Sequence, residues 1–357
     1  MRSGRARAVA AVRGLLAAAA RRPTGRRALN GFARELERAT GGGGVPTSTD
    51  RADDVYGSGY YGGGRDPADR AGLSGYERYD RDTSNADVAA YLLWRHLPVT
   101  RALDVGCATG FVVEALRELA VDARGVDVSR WAVEHPARGA AGHIGYGDLL
   151  GRLPFDDAAF DLVSAFETLE HLPPELVPRA LLELRRVTRA YVVATIPSFG
   201  RNLHGPGGWY QQKVREELLP RYWAHGDAYD GPVPFDDIER DATGQPLEGH
   251  LTLASFRWWT DRFAEAGFVR LGQVERAVHP HLARFGLTKY WNLYVFAVPG
   301  APIPEGPVRD QAELAARERL WRLDARTADP EDEERVREAL ADPRGGPLIG
   351  IGDLPAD

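Results

Sequence analysis

Cysteine is almost absent: Cys107 is the only one in 357 residues. That excludes a disulfide framework and any cysteine-based zinc site. No apolar run approaches the roughly 18 residues a membrane helix needs, so no integral membrane segment is expected. Lysine is nearly missing as well, with Lys213 and Lys289 the only two, so arginine carries almost all the positive charge. The net charge of −6 is unevenly placed. Residues 1–40 hold ten arginines against Glu35 and Glu37, which leaves −14 on the rest. An acidic body argues against nucleic acid as a partner. Hydrophobic residues at 43% and charged residues at 27% are ordinary for a soluble globular protein, expected here in the cytoplasm.

What is present falls into four stretches. Arg2, Arg5 and Arg7 precede an apolar stretch, Ala8–Ala20, which Arg13 interrupts and Arg21, Arg22 and Pro23 end. A secretory signal needs an unbroken apolar core and a cleavage site, so residues 1–22 read as a basic extension. Association with a membrane surface is the alternative. Together with the glycines at 41–44, this extension and its linker occupy residues 1–49. Residues 50–82, rich in Gly, Asp, Arg and Tyr, form a loop or lid. Residues 83–299 are the organised domain, and 300–357 a charged tail with helices expected over 309–325 and 331–341.

Within the domain, Thr83, Ser84 and Asn85 offer a cap for a helix reaching towards Pro98. Strands at Arg101–Val105, Ala123–Val128, His143–Tyr146, Phe160–Phe166 and Ala190–Ile196 then alternate with helices at Phe111–Ala120, Ser129–His135 and Pro174–Thr188. That alternation means a doubly covered, mostly parallel sheet of the α/β class. Residues 198–252 break the rhythm and form an insertion. A helix at Ser255–Ala266, ended by Gly267, and strands at Phe268–Glu275 and Tyr290–Val298 close the domain. Trp258, Trp259 and Phe263 recur at helical spacing and are expected in the core.

Chemistry-bearing residues recur at the strand ends. Residues 103–110 read Leu-Asp-Val-Gly-Cys-Ala-Thr-Gly, a strand entering a glycine turn before a helix. Such a turn lets the backbone approach a ligand at the carboxyl end of a parallel sheet. The glycine spacing is not that of a dinucleotide site, which disfavours a nicotinamide oxidoreductase. Asp127, 17 residues after Gly110, either accepts both ribose hydroxyls or caps the helix after it. Asp148 either accepts from an adenine amine or is a turn residue. Phe166 and Glu167 follow the fourth strand, and Glu170-His171-Leu172 follows them. Four such stations at successive strand ends point to one ligand crevice.

With "LDVGCATG" and "EHL" in place, the sequence resembles the class I S-adenosylmethionine-dependent methyltransferases, small-molecule branch. The resemblance implies a Rossmann-like, seven-stranded sheet whose last strand is antiparallel, with S-adenosylmethionine as cofactor. It implies that Asp104, Gly106, Ala108 and Gly110 hold the methionine part, and Asp127 the ribose with Val128 beside the adenine. Asp148 and Leu149 would follow the third strand, with Phe166 and Glu167 lining the reacting face. Cys107 falls at a variable position and is read as a small filler.

A hydroxyl acceptor needs a base, and Glu170 and His171 are nearest in the chain, with a structural role for His171 as the alternative. His204, His225 and His250, in or beside the insertion, are the alternative bases. His225, Asp227, Asp230, Asp236 and Asp237 match no metal-ligand spacing, so no metal is expected. Trp209, Tyr210, Tyr222, Trp223 and Tyr229, with Tyr60, Tyr61, Tyr76 and Tyr79, either stack on a substrate or form satellite cores. Tyr79, Trp209, Tyr210 and His250 are the substrate candidates. The expected partner is a small-molecule acceptor, a hydroxyl of a sugar, glycan precursor or secondary metabolite. A small amine or a non-catalytic cofactor-binding regulatory subunit are the alternatives.

Overall fold

The computed structural model describes residues 56–61, 79–200, 202–204, 214–218, 221–222, 229–240, 246, 249–284, 292–310 and 313. The expectations for residues 1–49, Tyr76, Trp209, Tyr210, Trp223, His225 and Asp227, and for the tail helices beyond residue 313, lie outside these.

A short helix α1 (Ser58–Tyr61) precedes α2 (Ala86–His96). The cap expected from Thr83–Asn85 takes another form: Asn85 is the capping residue, but its backbone is left-handed (φ 53°) and its side chain makes no capping bond. The chain then alternates β1 (Arg101–Val105), α3 (Phe111–Glu118), β2 (Asp122–Asp127), α4 (Arg130–Glu134), β3 (Ile144–Tyr146), β4 (Phe160–Phe166), α5 (Val177–Val187) and β5 (Thr188–Thr195). Short strands β6 (Ser198–Phe199) and β7 (Ala254–Ser255) bracket the insertion. Helix α6 (Phe256–Glu265), β8 (Val269–Arg270), α7 (Gly272–Arg284) and β9 (Leu293–Ala297) complete the fold.

Among the described residues, seven strands form one sheet in the order β3-β2-β1-β4-β5-β9-β8. The first five run parallel, and β9 is antiparallel to both its neighbours. Every residue of β4 but Phe166 is buried, as a central strand covered on both faces requires. Tyr91, Leu116, Val193 and Val278 belong to the core on one face. Leu181, Leu184, Trp259 and Phe263 belong to the core on the other, and Trp258 packs against it half-buried.

One element departs from expectation. Residues 268–275 do not form a single strand: β8 ends at Arg270 and a helix starts at Gly272. Leu271, Val274, Val278 and Leu282 recur at helical spacing and all are buried, so packing against the sheet selects the helix despite Pro280 within it. Arg270 donates from Nε and Nη2 to the two oxygens of Glu275, each at 2.9 Å. Glu275 also accepts from the backbone N–H of Val295, tying α7 to β8 and β9.

The described parts of the insertion form a satellite core in which Phe199, Val214, Tyr222, Ile238 and Leu253 are buried. Tyr222 is fully buried, and Tyr229 packs edge-on to it at 4.9 Å. These two tyrosines are therefore packing residues rather than exposed stacking platforms.

Candidate active site

The β1–α3 turn is built by its backbone. Gly106 and Cys107 both donate their N–H to Val126 O, at 2.9 and 3.1 Å, and Gly110 donates to Cys107 O. Gly106 (φ 71°) is exposed at the strand tip. Its α-carbon sits over Thr168, where a Cβ would come within 2.3 Å of the hydroxyl. Gly110 (φ 88°) packs against Ala140 and Ile144. Cys107 is buried, and burial pushes its thiol pKa well up, which agrees with a filler role.

Asp127 ends β2. Its carboxylate accepts from Ala108 N at 2.8 Å and Ser129 N at 2.7 Å. Ser129 caps α4 through its own side chain, accepting from Ala132 N. Asp127 thus organises the turn of β1 and the start of α4 together. Gly147 N donates to Asp127 O, which brings the third station alongside. Asp148 is half-buried and accepts from Leu150 N, forming a turn. Leu149 is buried in the apolar core, and Val128 is half-buried.

A cavity of about 130 Å3 opens at the tips of β1, β4 and β5. Asp104, Gly106, Phe166, Glu167, Thr195 and Tyr79 line it. Asp104 is buried there, accepts from Ser164 Oγ at 2.7 Å, and has its pKa pushed by burial up to about 7. A carboxyl so placed answers to a cationic group, since an opposite charge restores its ionised form. Glu167 has a left-handed backbone (φ 48°) and accepts from Asn292 Nδ2 at 3.1 Å.

The described part of the N-terminal segment caps the other half of the crevice. Tyr61 packs with Ala108 and Ala132 and stacks on Trp131, with ring centroids 5.6 Å apart. Tyr56, Tyr60 and Tyr79 surround it. Asp127 is 5% exposed, and the cavity stops short of it.

Beyond β4, a single 3-10 turn (Leu169–His171) carries Glu170 and His171. The structure brings His250 to them from 79 residues away: one ligand atom from each of the three lies within 4.8 Å of the others. His171 and His250 rings meet edge-on at 5.0 Å. His171 Nδ1 lies 3.1 Å from Gly249 O and 2.9 Å from the Tyr56 hydroxyl. A ring N–H at Nδ1 serves both contacts, because a carbonyl only accepts, and leaves the lone pair on Nε2. The sequence offers His250 as a substrate contact or an alternative base; nothing in its spacing ties it to Glu170.

The other candidates are placed elsewhere. His204 contacts Arg276 and lies against Gly272. The described acids of the loose insertion cluster each pair with an arginine: Asp230 with Arg257, Asp236 with Arg240, Asp237 with Arg221.

Residues 103–193 match the methyltransferase domain family. The chain is similar to the YcgJ protein from Bacillus subtilis at 16% identity, over 52% of this chain and 69% of that one, with a TM-score of 0.35. It is similar to an S-adenosylmethionine-dependent methyltransferase from Thermotoga maritima at 19% identity, over 52% and 70%, with a TM-score of 0.32. A phosphoethanolamine N-methyltransferase from Haemonchus contortus, solved with S-adenosylhomocysteine, is similar at 24% identity over 33% and 27%, with a TM-score of 0.29. Two residues of the crevice have the charge and shape for an amino-acid group: a buried carboxyl at Asp104 for an ammonium and an exposed glycine at Gly106, while Asp127 at the tip of β2 stands beyond the cavity wall. The match over residues 103–193 is to a methyltransferase domain, and Asp104 and Gly106 in the crevice suit S-adenosylmethionine as its cofactor.

Proposed function

We propose that the chain methylates a hydroxyl group of a small molecule, such as a sugar, glycan precursor or secondary metabolite. The observation that carries this reading is the Glu170, His171 and His250 cluster at the tip of β4, three residues beyond Glu167 in the cavity wall. A hydroxyl must lose its proton as it is methylated, and an amine free base need not. When bound, S-adenosylmethionine supplies a methyl group already activated by its sulfonium.

The chain's own residues then have separable tasks. Asp104 faces the ammonium end and Asp127 the ribose, with Val128 and Asp148 at the adenine side. Ala108 and Gly110 shape the turn, and Phe166 and Glu167 form the wall against which the acceptor lies. Glu170 and His171 manage the acceptor's proton. Tyr79 contributes to the acceptor pocket. Holding acceptor and methyl donor in line supplies much of the acceleration.

In the same reading residues 83–299 are the catalytic domain, with 198–252 as its substrate insertion, 50–82 as a lid, and 1–49 and 300–357 as extensions. Among the described residues no helix is long and apolar enough to cross a membrane.

The test uses full-length protein with isotopically labelled S-adenosylmethionine and a panel of polyols, phenols and amines, read by mass spectrometry. Methylation of hydroxyl compounds alone supports the proposal. Methylation confined to amines replaces it with the N-methyl reading. Cofactor binding without methylation of any compound favours a regulatory subunit.

A further inference from the structure

Two segments far apart in sequence are fastened together at the Glu170 turn. Glu170 O accepts from both Leu251 N and Thr252 N at 2.8 Å. Thr252 Oγ1 donates to Leu172 O at 2.5 Å. This lacing fixes His250 beside Glu170, with Nε2 4.0 Å from Oε1. The Glu170 side chain is fully buried and that of His250 is 4% exposed, while His171 is half-buried.

We propose that Glu170, His171 and His250 bind one divalent cation of the zinc or manganese type, and that the acceptor's oxygen completes its coordination. The proposal deepens the function above and rests on it for the acceptor, though not for the ion.

The donor chemistry is that of such a site. Two imidazoles and one carboxylate suit borderline metals, whereas calcium and magnesium favour all-oxygen shells. Donors about 2.1 Å from an ion stand at most about 4.2 Å apart. The three ligand atoms lie within 4.8 Å of one another, so small side-chain shifts close the site. Glu170 and His250 are buried side by side, with Nε2 and Oε1 already at 4.0 Å, so a dication between them would be held by both. Nδ1 of His171 faces a backbone carbonyl and a tyrosine hydroxyl, the outer contacts that orient a ligating imidazole. Three protein ligands leave a position open for the acceptor's oxygen.

The chemistry then runs through the ion. Coordination acidifies the acceptor hydroxyl; its O–H bond breaks and the proton leaves to water. The oxygen's electron pair forms the new O–C bond as the methyl's bond to sulfur breaks, and sulfur keeps that pair. Glu170 and His171 thereby act on the acceptor's proton as ligands rather than as a free base.

The experiment uses the full chain, stripped with a chelator. Zn2+, Mn2+ and Co2+ are titrated alone by calorimetry, and S-adenosylhomocysteine is titrated in parallel. One ion per chain is expected, with His171→Ala and His250→Ala each weakening it at least about tenfold while homocysteine-product binding persists. Absence of binding by all three ions, in protein that still binds S-adenosylhomocysteine, overturns the proposal and leaves the methyltransferase reading intact. Ion binding that survives both histidine variants overturns it equally. Loss of S-adenosylhomocysteine binding with the ion retained strikes the proposed function instead. Should a variant fail to fold, nitrogen couplings on Mn2+ bound to the parent protein decide: two imidazoles support the site, and none overturns it.

Discussion

The Tyr56 hydroxyl stands 2.9 Å from Nδ1 of His171, while the carbonyl of the same residue accepts from Ser129 Oγ at 2.6 Å. One residue therefore joins the tip of β2 to the tip of β4 across the crevice. Burial, reinforced by the charges of Asp127 and Glu170, raises the Tyr56 pKa, so the phenol stays neutral at working pH. Tyr56→Phe removes the contact to His171 and keeps the one to Ser129. Turnover is expected to fall by about three- to tenfold, as for one hydrogen bond, with S-adenosylhomocysteine affinity within about twofold. Parallel rate and calorimetric measurements check this; a fall in affinity without a fall in rate would show that Tyr56 serves only the cofactor side.

Asp127→Asn tests the ribose assignment. The amide keeps one acceptor oxygen but sets an NH2 group against one of the two backbone N–H donors, Ala108 or Ser129. Hydrogen bonds to a charged acceptor contribute about 1.5–3 kcal/mol each. Affinity for S-adenosylhomocysteine is therefore expected to drop about 10- to 100-fold, measured by calorimetry. Unchanged affinity would mean that Asp127 serves the turn and the α4 terminus alone.

Asp104 gives a pH dependence whose sign follows from its burial. Its pKa rises from an ordinary 3.8 to about 7. Between those values the folded chain holds a proton that the unfolded chain has released. The contribution to stability is thus complete below about pH 4 and is lost as pH rises towards 7. An ammonium group beside Asp104 favours the ionised form, so S-adenosylhomocysteine affinity should climb from pH 6 to 8. The limiting slope below pH 7 is about tenfold per unit. Asp104→Asn flattens both profiles, as thermal denaturation and calorimetry across that range would show. A pH-independent affinity in the parent protein would separate Asp104 from the ammonium.

How much of this was legible in the sequence depended on how local each signal was. The turn at 103–110, the acid at Asp127 and the parallel strand rhythm are written within short windows, and the structure returns them nearly unchanged. Helix α7 was hidden because Phe268–Glu275 reads as an apolar run, a pattern that strands and buried helix segments share. Only packing of Leu271, Val274, Val278 and Leu282 on the sheet separates them. The partnership of Glu170 with His250 was hidden for another reason: it depends on how residues 249–252 return to the β4 tip, through backbone bonds that no side-chain pattern announces. The insertion's tyrosines could stack on a substrate or pack; Tyr222 packs because Val214, Ile238 and Leu253 surround it.

Gly106 supports the final prediction. Its φ of 71° is costly for any residue with a Cβ, and a Cβ there would lie 2.3 Å from Thr168 Oγ1 and 2.6 Å from Cγ2. Thr168 cannot withdraw freely, since its hydroxyl donates towards Phe166 O and Val105 O. Gly106→Ala therefore adds a clash to a left-handed backbone that alone costs about 1–2 kcal/mol. Cofactor binding should be lost and stability reduced by more than that strain. Adding Thr168→Ala removes the clashing atoms but not the backbone strain. The double variant should recover part of the lost stability in urea denaturation, with a coupling of about 0.5–3 kcal/mol between the sites. Strict additivity would mean that the backbone at Gly106, rather than its approach to Thr168, is what demands glycine.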